Sequence, residues 1–298
     1  MTSVASVTIG RGSGGAGARR FLSLVTFSHT IFALPFALLS AVLAAGGLPE
    51  AGTLLWILVA MVGARSSAMA FNRIVDRDVD AVNPRTARRE IPSGAVSVSA
   101  AAALCAFSAG TFVAAAWFLN PLCFALSPVA LAIVLGYSFT KRLTALSHLA
   151  LGLGLAIAPV GAWIAVTGGF AVTPVALGLS VLFWVAGFDV IYSLQDEAFD
   201  RAHGLFSLPA RLGARRALDF STIFHAVSLV LLYGVFVLSE GGPLFGAGVV
   251  LAGIFLVRQH ILVSPKDLSR VNAAFFTANG WLSMAVFLCG ALDVLLRR

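Results

Sequence analysis

The sequence predicts an all-α integral membrane protein with nine spanning helices, and three observations lead there. Of its 298 residues, 59% are hydrophobic and 11% charged, whereas soluble domains run at roughly 45–50% and about 25%. Nine apolar runs reach the length of about 20 residues needed to cross some 30 Å of hydrocarbon. The connections between those runs alternate between basic and free of Lys and Arg.

Residues 1–20 carry Arg11, Arg19 and Arg20 on a Gly- and Ser-rich stretch without an apolar core, and read as a disordered basic tail. Residues 21–298 read as one transmembrane domain. Its runs are 22–46, 52–75, 97–119, 121–139, 148–167, 172–193, 218–239, 243–263 and 272–295, with Asn120-Pro121 splitting the third from the fourth. Arg73 to Arg89, Lys141 with Arg142, Arg201 to Arg216, and Lys266 with Arg270 fall in alternate connections. Lys and Arg are retained on cytoplasmic loops, so the N-terminus and these loops are expected in the cytoplasm, with the chain in the inner (plasma) membrane. Arg297 and Arg298 then lie outside and fit that rule poorly. The excess of basic residues thus sets orientation; nucleic acid is not an expected partner, and the lipid bilayer is. Cys105, Cys123 and Cys289, scattered singly through apolar runs, read as small packing residues. Gly152 and Gly154 read as a close helix contact.

Only 13 residues are Asp or Glu, and eight of them fall in two short stretches. One runs from Asn72 through Asp76, Asp78 and Asp80 to Glu90. The other holds Asp189, Tyr192, Asp196, Glu197 and Asp200. Read as continuous helix ends at about 100° per residue, Asn72, Asp76 and Asp80 share one face, as do Asp189, Asp196 and Asp200, while Asp78 points elsewhere. Each stretch is followed by a basic, Gly- and Pro-punctuated loop, a hint of an internal repeat.

Two facing stripes of oxygen ligands with cations nearby suit a metal-bound diphosphate. Mg²⁺ takes oxygen ligands and prefers one or two carboxylates plus substrate phosphates to an all-protein cage. Arg and Lys neutralise the remaining oxygens. The competing membrane class is a cation-coupled transporter, whose acids belong near the bilayer midplane on broken helices. Here they sit at helix ends before Arg-rich loops, which favours an enzyme drawing a charged headgroup from the surface.

At these residues the chain resembles the UbiA superfamily of intramembrane prenyltransferases. The N-x-x-x-D-x-x-x-D motif is met by Asn72, Asp76 and Asp80, and D-x-x-x-D by Asp196 and Asp200, with Tyr192 before it. The run from Arg85 to Gly94 is similar to the family's R-T-x-x-R-x-x-P-x-G loop, and Tyr137 to Arg142 to its Y-x-x-x-K-R segment. The resemblance implies nine helices around a central cavity and a Mg²⁺-dependent transfer of a polyprenyl group from its diphosphate to a hydrophobic aromatic acceptor, 4-hydroxybenzoate-like or carboxylated naphthol-like, in quinone biosynthesis. Haem, chlorophyllide or lipid acceptors are the alternatives. It places metal at Asn72, Asp76, Asp80, Asp196 and Asp200, and diphosphate at Arg65, Lys141 and Arg142, with Arg89 and Arg211 as loop candidates. Lys141 and Arg142 serve either the diphosphate or an acceptor carboxylate. Tyr192 would hydrogen-bond the diphosphate. Asp189 would orient or deprotonate the acceptor, or else support the metal ligands.

The acceptor is the less legible half. Ser28-His29-Thr30 on the first span departs from the usual 4-hydroxybenzoate pattern and resembles the branch that makes menaquinone by the futalosine route. His29 is either an acceptor contact or a packing residue. His148 and His225, single residues on apolar helices, read as structural.

Overall fold

The computed structural model describes residues 30–297. The basic tail, Ser28 and His29 lie outside the described residues. The long helices are α1 (Thr30–Ala45), α2 (Ala51–Val75), α4 (Val98–Leu119), α5 (Pro121–Gly136), α6 (Ser147–Thr167), α7 (Val172–Ser193), α10 (Ala214–Leu238), α11 (Pro243–Leu262) and α12 (Asn279–Leu296). Three short helices, α3 (Arg77–Val82), α8 (Glu197–Ala202) and α9 (Leu208–Leu212), lie in the basic connections. A 3-10 turn, Tyr137–Arg142, extends α5, and a π-helical turn, Ala273–Ala278, leads into α12. Eight helical segments are long and apolar enough to cross a membrane, and α1 is a further apolar helix. Together they match the nine expected runs.

Local chemistry accounts for the boundaries. Asn120 ends α4 and caps α5: its Oδ1 accepts the Cys123 N–H at 2.9 Å, while its Nδ2 donates to the Ile164 carbonyl at 2.8 Å. Pro121 follows at the first helical position, where its missing N–H costs nothing. Gly168 ends α6 in a left-handed conformation (φ 73°), and Gly213, at φ 80°, starts α10 four residues earlier than the apolar run.

Two adjoining rings of helices organise the bundle. In one, α1, α6, α7, α10, α11 and α12 each pack on the next, and α12 returns to α1. Its interior is filled by Phe32, Phe36, Leu39, Trp184, Phe188 and Phe245 among others, with Phe36 and Trp184 rings 5.1 Å apart. In the other, α1, α2, α4, α5 and α6 surround an apolar cavity of about 310 Å³. The cavity therefore lies between the first five spans rather than on the axis of the whole bundle. Among helices in lipid, close packing takes over much of the role that the hydrophobic effect has in water, and Gly152 supplies such a contact: a Cβ there would run into the Leu182 carbonyl of α7. Gly154 does not share that role. A Cβ at Gly154 would meet nothing within 4 Å, and the residue lines the cavity.

The exception to the charge rule at the C-terminus has a partner. Arg297 Nη2 lies 2.6 Å from Asp293 Oδ2, and that buried carboxylate also accepts the Gly242 N–H at 2.8 Å. The pair carries no net charge across the helix end.

Candidate active site

Both acidic stretches emerge at the same end of the bundle, but neither is one unbroken helix. This corrects the reading of continuous helix ends. The first joint is Asp76, between α2 and α3. Its stripe survives because the bonds that set it keep helical spacing: Asp76 N–H to Asn72 O at 2.9 Å, and Asp80 N–H to Asp76 O at 2.7 Å. The second break is deeper. α7 ends at Ser193, and a 3-10 turn, Leu194–Asp196, precedes α8. A 3-10 turn advances about 120° per residue, which turns Asp196 and Asp200 relative to Asp189, and their partners differ accordingly.

Each carboxylate of the first motif is held by a guanidinium. Asn72 Nδ2 donates to Asp76 Oδ2 at 2.8 Å, and Arg142 Nη1 donates to Asp76 Oδ1 at 2.9 Å. Arg89 Nη1 donates to both oxygens of Asp80, at 2.7 and 2.8 Å. Asp78 points away, 82% exposed beside Arg77, as its place on the helix requires. Glu197 likewise pairs with Arg201 rather than with the site.

The loop after the first motif reaches the second. Arg85 Nε donates to Asp196 Oδ1 at 2.9 Å and its Nη2 to Oδ2 at 2.6 Å, a fork-on-fork pair. Arg85 Nη1 donates to the Tyr192 hydroxyl at 3.2 Å, and Asn83 Nδ2 to Asp196 Oδ1 at 3.3 Å. Burial works against the Arg85 charge, but the hydrogen bonds and charge of Asp196 more than offset it and raise its pKa. Tyr192 is fixed from behind by Phe275, with ring centroids 4.2 Å apart. Asp200 is buried, and its Oδ2 has no hydrogen-bond partner among the described residues.

Lys141 stands among the carboxylates, within electrostatic reach of Asp189, Asp200, Asp196 and Asp76, and makes no ion pair closer than 4.0 Å among the described residues. Arg65 and Tyr137 line the end of the apolar cavity nearest the site, and the Arg65 Nε is buried without a hydrogen-bond partner among the described residues. Arg211 is exposed on α9 and makes no bond to either motif. Arg85, Asn83 and Tyr137 were not singled out from the sequence as site residues. Buried Arg73, 3.8 Å from Glu90 and near Asp80, was not either. His148 is not an isolated structural histidine, since its Nδ1 lies 2.7 Å from Asp189 Oδ2.

The donor set fits a hard cation. Asp76, Asp80, Asp196 and Asp200 offer only oxygen, and the orphaned Asp200 Oδ2 is a buried acceptor lacking a counterpart. Among the described residues no three carboxylate, imidazole or thiol groups cluster tightly enough to cage an ion. Mg²⁺ does not need such a cage where substrate phosphates and water complete its shell.

The chain is similar to known proteins along most of its length. Residues 33–282 match the model of the UbiA prenyltransferase family. A 4-hydroxybenzoate octaprenyltransferase of Francisella tularensis subsp. novicida is 30% identical over 257 residues, spanning 86% of this chain and 89% of that one. The apo structure of a UbiA homolog from Aeropyrum pernix K1 is 34% identical with a TM-score of 0.77, over 90% of this chain and 98% of that chain. The structure of a UbiA homolog from Archaeoglobus fulgidus bound to DMAPP and Mg²⁺ has a TM-score of 0.71 at 21% identity, over 92% and 99% of the two chains, and so is alike in fold alone.

Proposed function

The chain belongs to the UbiA prenyltransferase family, and we propose that it transfers a polyprenyl group from its diphosphate to an aromatic acceptor bearing a phenol and a carboxylate, with Mg²⁺ as its metal. That it is a prenyl-transferring enzyme follows from the family; the acceptor, the metal and the residue roles are the proposal. The observation that carries it is the meeting of the two motifs. Arg85 and Asn83, from the loop after the first, hold Asp196 of the second, with Lys141 set among the carboxylates of both.

Asn72, Asp76, Asp80, Asp196 and Asp200 would hold the metal, which on binding neutralises the diphosphate and makes it a better leaving group. Each of Arg142, Arg89 and Arg85 now bonds a motif carboxylate, so a cation is already in place wherever a phosphate oxygen arrives. Lys141 and Arg65 supply positive charge that is not committed to an ion pair among the described residues. Such preorganised charge acts most strongly where water is excluded. The prenyl tail runs into the cavity behind Arg65 and Tyr137, whose walls are almost wholly apolar. Dry walls also protect the allylic cation from hydrolysis as the C–O bond breaks and its electron pair leaves with the diphosphate. The aromatic ring of the acceptor then bonds to that carbon, and Asp189 takes the ring proton, restoring aromaticity. Tyr192, bonded to Arg85, orients the diphosphate end. The Francisella relative, a 4-hydroxybenzoate octaprenyltransferase, supports a benzoate-type acceptor, and the Archaeoglobus homolog, alike in fold, is itself bound to DMAPP and Mg²⁺.

The test is purified protein with Mg²⁺, polyprenyl diphosphates and a panel of hydroxybenzoates and hydroxynaphthoates, with products read by mass spectrometry. A prenylated phenolic acid identifies the acceptor. Diphosphate release without any prenylated phenolic acid would send the search to porphyrin or lipid acceptors.

A further inference from the structure

His148 is completely buried at the start of α6, and both of its ring nitrogens are engaged. Nδ1 lies 2.7 Å from Asp189 Oδ2, and Nε2 lies 3.3 Å from the backbone nitrogen of Leu208. A backbone N–H can only donate, so Nε2 must be the acceptor and carries no proton. The ring is therefore neutral with its single proton on Nδ1, and the 2.7 Å contact is a donation to the Asp189 carboxylate. One oxygen of Asp189 is thereby pinned. The group as a whole remains 18% exposed, within electrostatic reach of Lys141 and Tyr137 on the site side.

The Leu208 amide belongs to the loop that follows the second motif, and that loop is fastened to the site. Leu205 N–H bonds the Asp200 carbonyl at 2.9 Å, and Phe206 N–H bonds the Lys141 carbonyl at 2.7 Å. Ser207 caps α9 through the Ala210 N–H at 3.3 Å. The loop thus touches Asp200, Lys141 and His148 within four residues, 205–208.

We propose that His148 is the positioning residue for Asp189: docking of the Leu205–Leu208 loop fixes its tautomer, and the Nδ1–H then holds Asp189 by Oδ2, leaving Oδ1 to receive the proton of the aromatic acceptor. This rests on the reading of Asp189 as the proton acceptor. The bookkeeping is that of the transfer itself. The ring C–H bond breaks, its electrons restore the aromatic sextet, and the proton forms a new O–H bond at Oδ1, while His148 keeps its own proton. Holding a base by its second atom is how an orienting partner acts without touching substrate.

Three variants of the full-length protein test this, with kcat and KM measured separately for donor and acceptor. His148→Leu removes both bonds and is expected to lower kcat more than tenfold, with donor KM changed less than threefold. His148→Asn places an amide donor near the Nδ1 position and is expected to recover most of that loss. Asp189→Asn is expected to be inactive. Full kcat in His148→Leu together with an inactive Asp189→Asn overturns the positioning role and spares Asp189. Full activity in Asp189→Asn overturns both. Should His148→Leu fail to fold, the wild-type protein labelled with ¹⁵N-histidine still decides. The resonance pair that vanishes in His148→Asn must report a neutral ring protonated on Nδ1, and a ring protonated on Nε2 would sink the proposal.

Discussion

Arg85 and Asp196, 111 residues apart in the chain, form the bidentate ion pair that ties the first motif to the second. One edge of the guanidinium makes the contact, Nε on one carboxylate oxygen and Nη2 on the other. A lysine has one point charge and no fork, so Arg85→Lys is not conservative here. A hydrogen bond to a charged group is worth about 1.5–3 kcal/mol, or roughly 10- to 100-fold. Arg85→Lys should therefore lower kcat/KM for the prenyl diphosphate by at least tenfold, and Arg85→Ala by more, in steady-state assays at saturating acceptor. Because Asp196 raises the Arg85 pKa, the guanidinium stays charged at any working pH, and its titration adds no limb to the pH–rate profile.

Asp78 gives the sharpest internal control. It lies two residues from both Asp76 and Asp80, carries the same charge, and is 82% exposed beside Arg77. Asp78→Ala should keep at least a third of wild-type kcat, whereas Asp76→Ala and Asp80→Ala should fall by a factor of 100 or more, measured as diphosphate release. Equal losses at all three positions would mean that bulk negative charge, not the face presented, governs activity.

The stripe of Asn72, Asp76 and Asp80 was legible because it rests on local periodicity, which the joint at Asp76 preserves through two bonds of helical spacing. The second stripe was legible only in part, since the 3-10 turn at Leu194–Asp196 leaves no mark in the hydrophobic pattern. Pairings across the fold were hidden altogether. Nothing local says that Arg85 meets Asp196 or that His148 meets Asp189, because both depend on how α6 and α7 pack and where the loops return. Arg211 shows the converse: a basic loop residue near a motif in sequence can face outward, as it does on α9. The nine apolar runs and the break at Asn120 were readable because length, hydropathy and capping chemistry are properties of short segments.

The two glycines of the α6 segment should separate in stability. At Gly152 an added methyl meets the Leu182 backbone carbonyl, which cannot move without shifting α7. Overpacking of this kind costs about 1–3 kcal/mol. Gly152→Ala should lower the thermal midpoint of the detergent-purified protein by several degrees, while Gly154→Ala, facing open space, should leave it unchanged or slightly raised through better helix propensity.

Gly154 also offers control over the donor. It lines the cavity between the first five spans together with Met61, Ala158 and Leu126. A phenyl group introduced there enters empty space rather than a helix contact, so it narrows the cavity without disturbing α7. If the prenyl tail occupies this cavity, Gly154→Phe should accept short prenyl diphosphates with near-wild-type kcat/KM and lose longer ones progressively, by tenfold or more once the tail must pass the new ring. The measurement is kcat/KM across a series of donors of increasing length with one acceptor. A uniform loss at every length would place the tail elsewhere, along the lipid-facing side of the bundle. An unchanged profile would do the same, since a ring at Gly154 takes up space within the cavity.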